Sequence, residues 1–567
     1  MTNKILSFLL CLALTVPTFC TGVLADGTEQ ETEAQPAQID TVEKTLSFDK
    51  STVIRDSIPM AMYGYNHSTQ SHMMGGDSVL ANDAKFLAIT DKEKYNDANP
   101  DAVESLKGYP LCHIRYGGTG ANYYWWKEDL GPTWQKAVRS QKDKRYVGYG
   151  HSRLSVGDEN INANRNVYKI GRQQDGIDEN IRIMLAYGGE NMTFTYTLNV
   201  VTEPLADMVD MVEFLTSDGT VNYNGGENWG KLRKERYGID KLNIVAWELG
   251  NEVDLSKMSI DEYIETIKKA VPAIRTVDKK TPIAAHIASN DTASAGVEWQ
   301  RKLLMECGDI IDYIVIHKYF TTNQVSGVCE NSVRALISDI EKFGDPERHK
   351  ILFTEYNTGW ITDRADWPKN TDISSAVTIA DYMIRMMHYP QIIEADFHCF
   401  SSGGGNMDYQ KGGRYLSALR HLPDSGPWWA FYVDDNKVVR ATAPVEVLKV
   451  FYDNSKGAKM IGANLQDFKP GSVAMSTAAA FEQSDGDVCI FITNFNENSN
   501  LTVNLENEGY YLKQDTRIYG TNGLHSMNFR GHEEVKIETK DHIDKSECRS
   551  YTLSPMSFAM IRLSEIK

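Results

Sequence analysis

The sequence predicts an α/β chain in which a (β/α)8 TIM barrel is followed by a C-terminal β-sandwich of jelly-roll type. Three observations predict it. Eight short apolar strands alternate with amphipathic helical patterns from about Pro59 to about Leu422. Two of these strands end in matched polar settings, Gly250-Asn251-Glu252 and Glu355-Tyr356-Asn357, at the carboxyl ends where a parallel barrel collects functional groups. After Trp428 the pattern changes to period-two runs separated by Asn, Gly, Asp and Ser. A doubly wound sheet is the alternative.

In chain order, Lys4 precedes an apolar run from Ile5 to Phe19, and Val23-Leu24-Ala25 offers small residues for cleavage. Residues 1–25 therefore read as a secretory signal peptide, which implies a secreted protein, extracellular or periplasmic. Residues 26–43, rich in Glu, Gln, Thr and Ala, read as a disordered leader. Residues 44–58 hold a strand expected to join the sandwich. The barrel is assigned to residues 59–435. Its strands are expected at Met60–Tyr65, Leu111–Tyr116, Thr193–Val200, Leu242–Glu248, Pro282–Ile287, Tyr313–His317, Ile351–Glu355 and Glu394–Phe400. Ser259 and Glu262 form a capping-box pattern before a stripe of Ile260, Ile264, Ile267, Val271 and Ile274, which predicts a helix over Ser259–Val277. The sandwich is assigned to residues 436–567. It opens on a helical piece, Val445–Tyr452, and continues in strands at Val488–Asn494, Thr502–Leu505 and Ser557–Leu563.

Composition narrows the function. A formal net charge of −18 argues against nucleic acid and against an anionic membrane surface, and is indifferent to neutral glycans. Beyond the first run no segment is long enough to span a bilayer. Of eight cysteines, Cys11 and Cys20 fall in the signal. The other six are scattered with no C-x-x-C pair, so metal binding is not expected. Cys307–Cys329 is the best candidate for a bridge, while Cys112 and Cys399 read at least as well as free buried thiols as they do bridged. Gly225-x4-Gly230-Lys231 lacks the Ser or Thr of a phosphate loop, since Leu232 follows, and no H-E-x-x-H or G-x-S-x-G occurs.

Two carboxylates, Glu252 and Glu355, on two strand ends suit cleavage of a glycosidic bond, which needs an acid/base and a nucleophile or second base. The loop after the second strand carries Arg115, Asn122 and the aromatics Tyr123 to Trp126. Such rings stack on sugar faces or pack under the barrel rim; Trp126 is taken as a substrate contact. His317 and Tyr319 end the sixth strand, beside the strand of Glu355.

These stretches resemble glycoside hydrolase family 51, the α-L-arabinofuranosidases and some endoglucanases of the clan-A barrels. Trp229-Gly-Lys-Leu-Arg233 and Trp247-Glu-Leu-Gly-Asn251-Glu252 are similar to the family's Trp-Gly-x-Leu-Arg and Trp-Glu-(Leu/Ile)-Gly-Asn-Glu, whose last Glu is the acid/base. Phe353-Thr-Glu355-Tyr-Asn resembles the nucleophile motif, and Asp312-Tyr-Ile-Val-Ile-His317-Lys-Tyr319 resembles the family's Asp-Tyr-x-Ser-x-His-x-Tyr. Arg115-Tyr-Gly-Gly lacks the family's Pro and Asn, with Thr119 at the Asn position. At the first strand end Asn66 stands where the family has a substrate-binding Glu.

The resemblance implies a retaining hydrolase in which Glu252 is acid/base and Glu355 nucleophile. It also implies that Asn251, Arg115, Tyr319, His317 and Asn66 surround the sugar. The expected partner is a carbohydrate substrate, with no cofactor and no metal; the family is often hexameric, so a homo-oligomer is open. An endo-glycanase or pyranoside-cleaving enzyme on the same barrel, or a non-catalytic glycan-binding protein, are the alternatives. The change at Asn66 predicts weak activity on simple arabinofuranosides.

Overall fold

The computed structural model describes residues 39–67, 100–118, 121–122, 126–129, 177–321, 324–359, 371–400, 430–433, 439–528 and 533–567. The signal and most of the leader lie outside the described residues, as do Tyr123 to Trp125 and Thr119.

Eight parallel strands close a barrel: β2 (Gly64–His67), β3 (His113–Tyr116), β4 (Thr193–Leu198), β5 (Asn243–Leu249), β6 (Ile283–His286), β7 (Tyr313–Phe320), β8 (Lys350–Thr358) and β9 (Ile392–His398). The ring closes where Gly64, Tyr65 and Asn66 pair with Asp396, Phe397 and His398. All eight expected strands are present, and their ends differ by a few residues. The largest difference is at the first, where Met60–Tyr63 forms a 3-10 turn and the strand starts at Gly64. Successive residues on a strand face opposite sides. One set, including Tyr65, Ile114, Phe194, Trp247, Ile314, Phe353 and Phe397, is buried in the main hydrophobic core. The other set fills the barrel interior, which is apolar in one patch, Ala246, Ala284, Val315 and Leu352. Elsewhere the interior is polar, with Arg115, Glu248, His286, Glu394 and Asp396 all buried.

The helix Ile260–Val277 starts at Ser259 with both halves of the capping box made. Its apolar stripe, Ile264, Ile267, Val271 and Ile274, is buried. The helix Ile373–Met387, between β8 and β9, is buried along nearly its whole length because it lies between the barrel and the C-terminal sheet.

A short pair, β10 (Phe431–Val433) and β11 (Val439–Ala441), follows the barrel strands. Next comes the helix Ala443–Ser455, longer at both ends than expected. Its Ser455 bonds Tyr63 Oη at 2.7 Å, and its Phe451 stacks on Phe491 of the sheet at 4.2 Å. The C-terminal sheet comprises β12 (Lys459–Leu465), β13 (Ala478–Glu482), β14 (Val488–Asn494), β15 (Ser499–Leu505), β16 (Tyr510–Gly520), β17 (Val535–Asp541), β18 (Ser550–Leu553) and β19 (Ser557–Glu565). A further strand, β1 (Asp40–Arg55), enters from the start of the chain between β12 and β15. The leader reading over 26–43 is corrected only over residues 40–43, since residues 26–38 lie outside the described residues. Asp40 to Lys44 pair in parallel with Ser499 to Val503, so the polar residues of that stretch sit on a strand whose backbone the sheet satisfies.

The expected Cys307–Cys329 bridge is not formed. Both are buried free thiols, as are Cys112, Cys399 and Cys489, with Cys548 partly exposed. Cys307 ends the helix before β7 and Cys329 lies in the turn after it, each within apolar packing.

Candidate active site

The turn after β5 is built by glycine. Gly250 has φ +77°, and a Cβ there would lie 2.5 Å from Val253 Cγ1. Asn251 follows, its backbone held at both ends by one side chain: its N–H donates to Asn122 Oδ1 at 2.8 Å, and its carbonyl accepts from Asn122 Nδ2 at 2.5 Å. Glu252 comes next with φ +42°, a left-handed conformation costly for a residue with a Cβ and one of the strained backbones that active sites hold in place. Its side chain is 19% exposed, against 7% for Glu355, so it faces the mouth.

Glu355 lies deeper, on β8. Arg115 Nη1 donates to its Oε1 at 2.7 Å and Tyr319 Oη to its Oε2 at 2.6 Å. His317 and His398 stand 3.7 and 3.6 Å from Oε2. Burial pushes its carboxyl up, but the charges of His317, His398 and Arg115 and the Tyr319 hydrogen bond outweigh this. They hold Glu355 well below the usual carboxylate range.

The two carboxylates share a histidine. His317 Nδ1 lies 3.0 Å from Glu252 Oε1, and its Nε2 lies 2.9 Å from Thr354 Oγ1. Burial lowers the basicity of His317, and the nearby Glu355 and Glu252 raise it further than burial lowers it. His317 thus hydrogen-bonds Glu252 and only approaches Glu355, at 3.7 Å. One ligating atom from each of Glu252, His317 and Glu355 lies within 4.8 Å of the others.

Arg115 organises the layer. Its guanidinium forks onto Glu248, with Nε 2.9 Å from Oε2 and Nη2 on Oε1, and also donates to Asn251 Oδ1 at 2.7 Å. Burial drives the Glu248 carboxyl up, yet Arg115 and His286 bring it down to about 2. Glu248 and His286 were not among the expected site residues. Glu248 sits inside an apolar run, and a charge there, on the same strand face as Ala246, was the available signal.

Asn66, one residue before the end of β2, is fully buried with neither amide atom hydrogen-bonded among the described residues, and its strand partners are Arg115 and His398. Asn251 Nδ2 is likewise buried without a partner. The structure therefore brings Glu252, Glu355, Arg115, Asn251, Tyr319, His317 and Asn66 to one end of the barrel. Trp126 is the exception. It is fully buried against Phe214 and Trp229, with Nε1 donating to the Asp207 carbonyl at 2.9 Å. Its role as a substrate contact is corrected to packing under the rim, because its polar edge is already used and both flanks are covered.

This arrangement was compared with known proteins. No family model matches the chain. In sequence it is 22% identical, over 283 residues, to an intracellular exo-α-(1→5)-L-arabinofuranosidase of Acetivibrio thermocellus, covering 47% of this chain and 50% of that protein. The match thus spans about half the length of the curated relative. In structure it superposes on an α-L-arabinofuranosidase from Thermotoga maritima solved with arabinose, with TM-score 0.67, 16% identity, and coverage of 92% of this chain and 99% of that one. A family 51 arabinofuranosidase from Xanthomonas axonopodis gives TM-score 0.66 at 13% identity, over 93% of this chain and 100% of that one. The fold is that of glycoside hydrolase family 51. Together the sequence and structural likenesses support a divergent member of family 51. The curated relatives from A. thermocellus, Streptomyces lividans, Halalkalibacterium halodurans and Bacillus subtilis are all named intracellular, which overturns the expectation of secretion. Among the described residues no helix is long and apolar enough to cross a membrane.

Proposed function

We propose that this protein is a retaining glycoside hydrolase, most similar in its chemistry to the α-L-arabinofuranosidases. The observation that carries the reading is the carboxylate pair. A Glu252 oxygen and a Glu355 oxygen lie within 4.8 Å of each other, near the roughly 5–5.5 Å carboxyl separation of retaining enzymes and too close for the roughly 6.5–9.5 Å of inverting ones.

The environments divide the roles. Glu355 is buried and kept ionised by Arg115 and the Tyr319 hydroxyl, as a nucleophile must be. Its oxygen attacks the anomeric carbon, and the bond to the leaving oxygen breaks as Glu252, nearer the mouth, delivers a proton to it. In the second step Glu252 takes a proton from water, which displaces Glu355 and restores both groups. Asn251, held through its backbone by Asn122 and through its Oδ1 by Arg115, keeps one amide N–H pair for a sugar hydroxyl. Support for a glycosidase also comes from relatives named arabinofuranosidases.

One observation favours a second substrate. Asn66 offers an uncharged amide where the resemblance leads one to expect a carboxylate, so an extended chain or a pyranoside is the runner-up to a simple arabinofuranoside. The test is hydrolysis of a panel of aryl glycosides, with the anomer of the first-formed product read by NMR. Retention of configuration is expected. Inversion, or no turnover on any member while the sugars still bind, would overturn the reading in favour of an inverting enzyme or a binding protein. Glu252→Ala should lower kcat by about 10²–10⁴-fold, with azide restoring turnover on substrates with a good leaving group.

A further inference from the structure

A second polar cluster lies beneath the catalytic layer, and the reaction described above does not use it. It consists of His113 on β3 with Glu394 and Asp396 on β9, all buried. They face the barrel axis on the same strands as Arg115 and His398, which stand two residues further toward the mouth.

The hydrogen bonds around the cluster define what faces its centre. His113 Nδ1 lies 2.7 Å from Thr193 Oγ1, and that hydroxyl donates its own proton to the Cys112 carbonyl at 3.2 Å. Thr193 can then only accept, so His113 Nδ1 carries a proton, and in the neutral ring Nε2 presents a lone pair. Glu394 Oε2 accepts from the Thr195 hydroxyl at 2.8 Å. The atoms left over are His113 Nε2, Glu394 Oε1, Asp396 Oδ1 and Asp396 Oδ2; each is buried and none makes a well-formed hydrogen bond. With a neutral imidazole and ionised carboxylates, four acceptors face one another out of reach of water, which is costly unless a proton or a cation lies between them.

The separations identify the missing charge. Nε2 lies 3.4 Å from Glu394 Oε1 and 3.6 Å from Asp396 Oδ1. A charge-assisted hydrogen bond would bring such atoms to about 2.7–2.9 Å. Two ligands bound tetrahedrally to one zinc at about 2.0–2.1 Å stand about 3.3–3.5 Å apart, which is close to what is seen. Glycine at position 64 of β2 lets Asp396 and His113 pack against the strand backbone: a Cβ there would lie 1.9 Å from Asp396 Oδ1 and 2.7 Å from His113 Cδ2. Two other groups bring potential ligands within 4.8 Å, Glu248–His286–His317 and Glu252–His317–Glu355. There the atoms are already engaged with one another, with Arg115, with Tyr319 or with Thr354.

We propose that His113, Glu394 and Asp396 form a buried structural site for a divalent cation of the zinc class. The imidazole nitrogen argues against magnesium and calcium, which take oxygen ligands. Two carboxylates balance the charge of the ion. Asp396 binding through both oxygens completes four donors and leaves no open position, so the site is structural rather than catalytic. The Thr193 and Thr195 hydroxyls hold the His and Glu ligands from outside, as metal ligands are commonly held.

The competing arrangements hold protons instead of a metal, one on His113 Nε2 facing both carboxylates or one shared between Glu394 and Asp396. The full chain, grown with added zinc and purified without chelator or histidine tag, decides between them by elemental analysis. One zinc per chain is expected, and cells grown with cobalt instead should yield protein with visible d–d absorption. Glu394→Gln, confirmed as folded by circular dichroism, should lose both signals. If the wild type carries well below one equivalent of metal and shows no cobalt spectrum, protons hold the cluster and the proposal is overturned. Zinc retained in full by Glu394→Gln marks adventitious surface binding and overturns it equally. Should Asp396→Asn or His113→Ala fail to fold, the wild-type metal count still decides.

Discussion

Glu355 shows how much one side chain depends on its donors. Its carboxyl is buried, and burial alone would protonate it; Arg115, two histidines and the Tyr319 hydroxyl reverse that. Tyr319→Phe removes the 2.6 Å hydrogen bond to the ionised form and leaves the ring in place. A hydrogen bond to a charged group contributes about 1.5–3 kcal/mol, so the Glu355 carboxyl should become less acidic. The sign follows: the nucleophile must be ionised, so the acid limb of the kcat/KM profile should move to higher pH. A fall in rate with no movement of that limb would mean that Tyr319 serves the substrate alone. At the neighbouring strand end, Asn66 carries no charge where the family resemblance implies a carboxylate, and neither of its amide atoms finds a partner among the described residues. Restoring the acid in Asn66→Glu should strengthen hydrogen bonds from a furanoside by about 1–2 kcal/mol, or about 5–30-fold in kcat/KM on an aryl arabinofuranoside. If the wild type already turns over that substrate efficiently and Asn66→Glu only impairs it, the altered-specificity idea fails.

At the scale of elements, the turn after β5 does the most for function with the fewest residues. Gly250 has a positive φ, and a Cβ there would press within 2.5 Å of Val253. Gly250→Ala should therefore cost at least about 1–2 kcal/mol in stability. It should also displace Asn251 and Glu252, so activity should fall by far more than the change in folding midpoint implies. Equal losses in the two would show that the turn tolerates the shift. The eight barrel strands were legible because each is a short apolar run bounded by polar loops, and the strand ends carried Glu252, Glu355, Arg115, Tyr319 and His317 to one place. What was not legible depended on contacts between elements distant in sequence. Trp126 read equally well as a sugar platform or as packing, and only Phe214, Trp229 and the Asp207 carbonyl decide it. Glu248 was hidden inside an apolar run because its partners, Arg115 and His286, come from other strands. The cluster of His113, Glu394 and Asp396 has no local spacing to reveal it, since its members meet only when β3 and β9 come together around β2.

At the scale of the whole molecule, the barrel and the C-terminal sheet are joined by a buried charge network as well as by apolar packing. Arg385, on the helix between β8 and β9, donates to Glu330 Oε2 and Asp381 Oδ1, each at 2.7 Å, and to the Ser472 carbonyl at 2.8 Å. Glu330 Oε1 in turn accepts from the Gly471 N–H at 2.8 Å and from Tyr389 Oη at 2.9 Å. One guanidinium thus ties the turn after β7, a barrel helix and the loop leading into β13. The three charged side chains are buried, so the net worth of the network against an apolar replacement is small, while breaking it from one side is expensive. Burial already pushes the Asp381 carboxyl up to about 6 even with Arg385 alongside, which marks how dearly a charge is held there. Arg385→Ala strands Glu330 and Asp381 together and should destabilise the chain by about 3–5 kcal/mol in denaturant unfolding. Arg385→Met paired with Glu330→Gln removes charge from both sides, and the pair should cost less than the sum of its single changes by more than about 0.5 kcal/mol. Additive losses in that cycle would mean that the two groups act independently and that this charge network does not couple the barrel to the sheet.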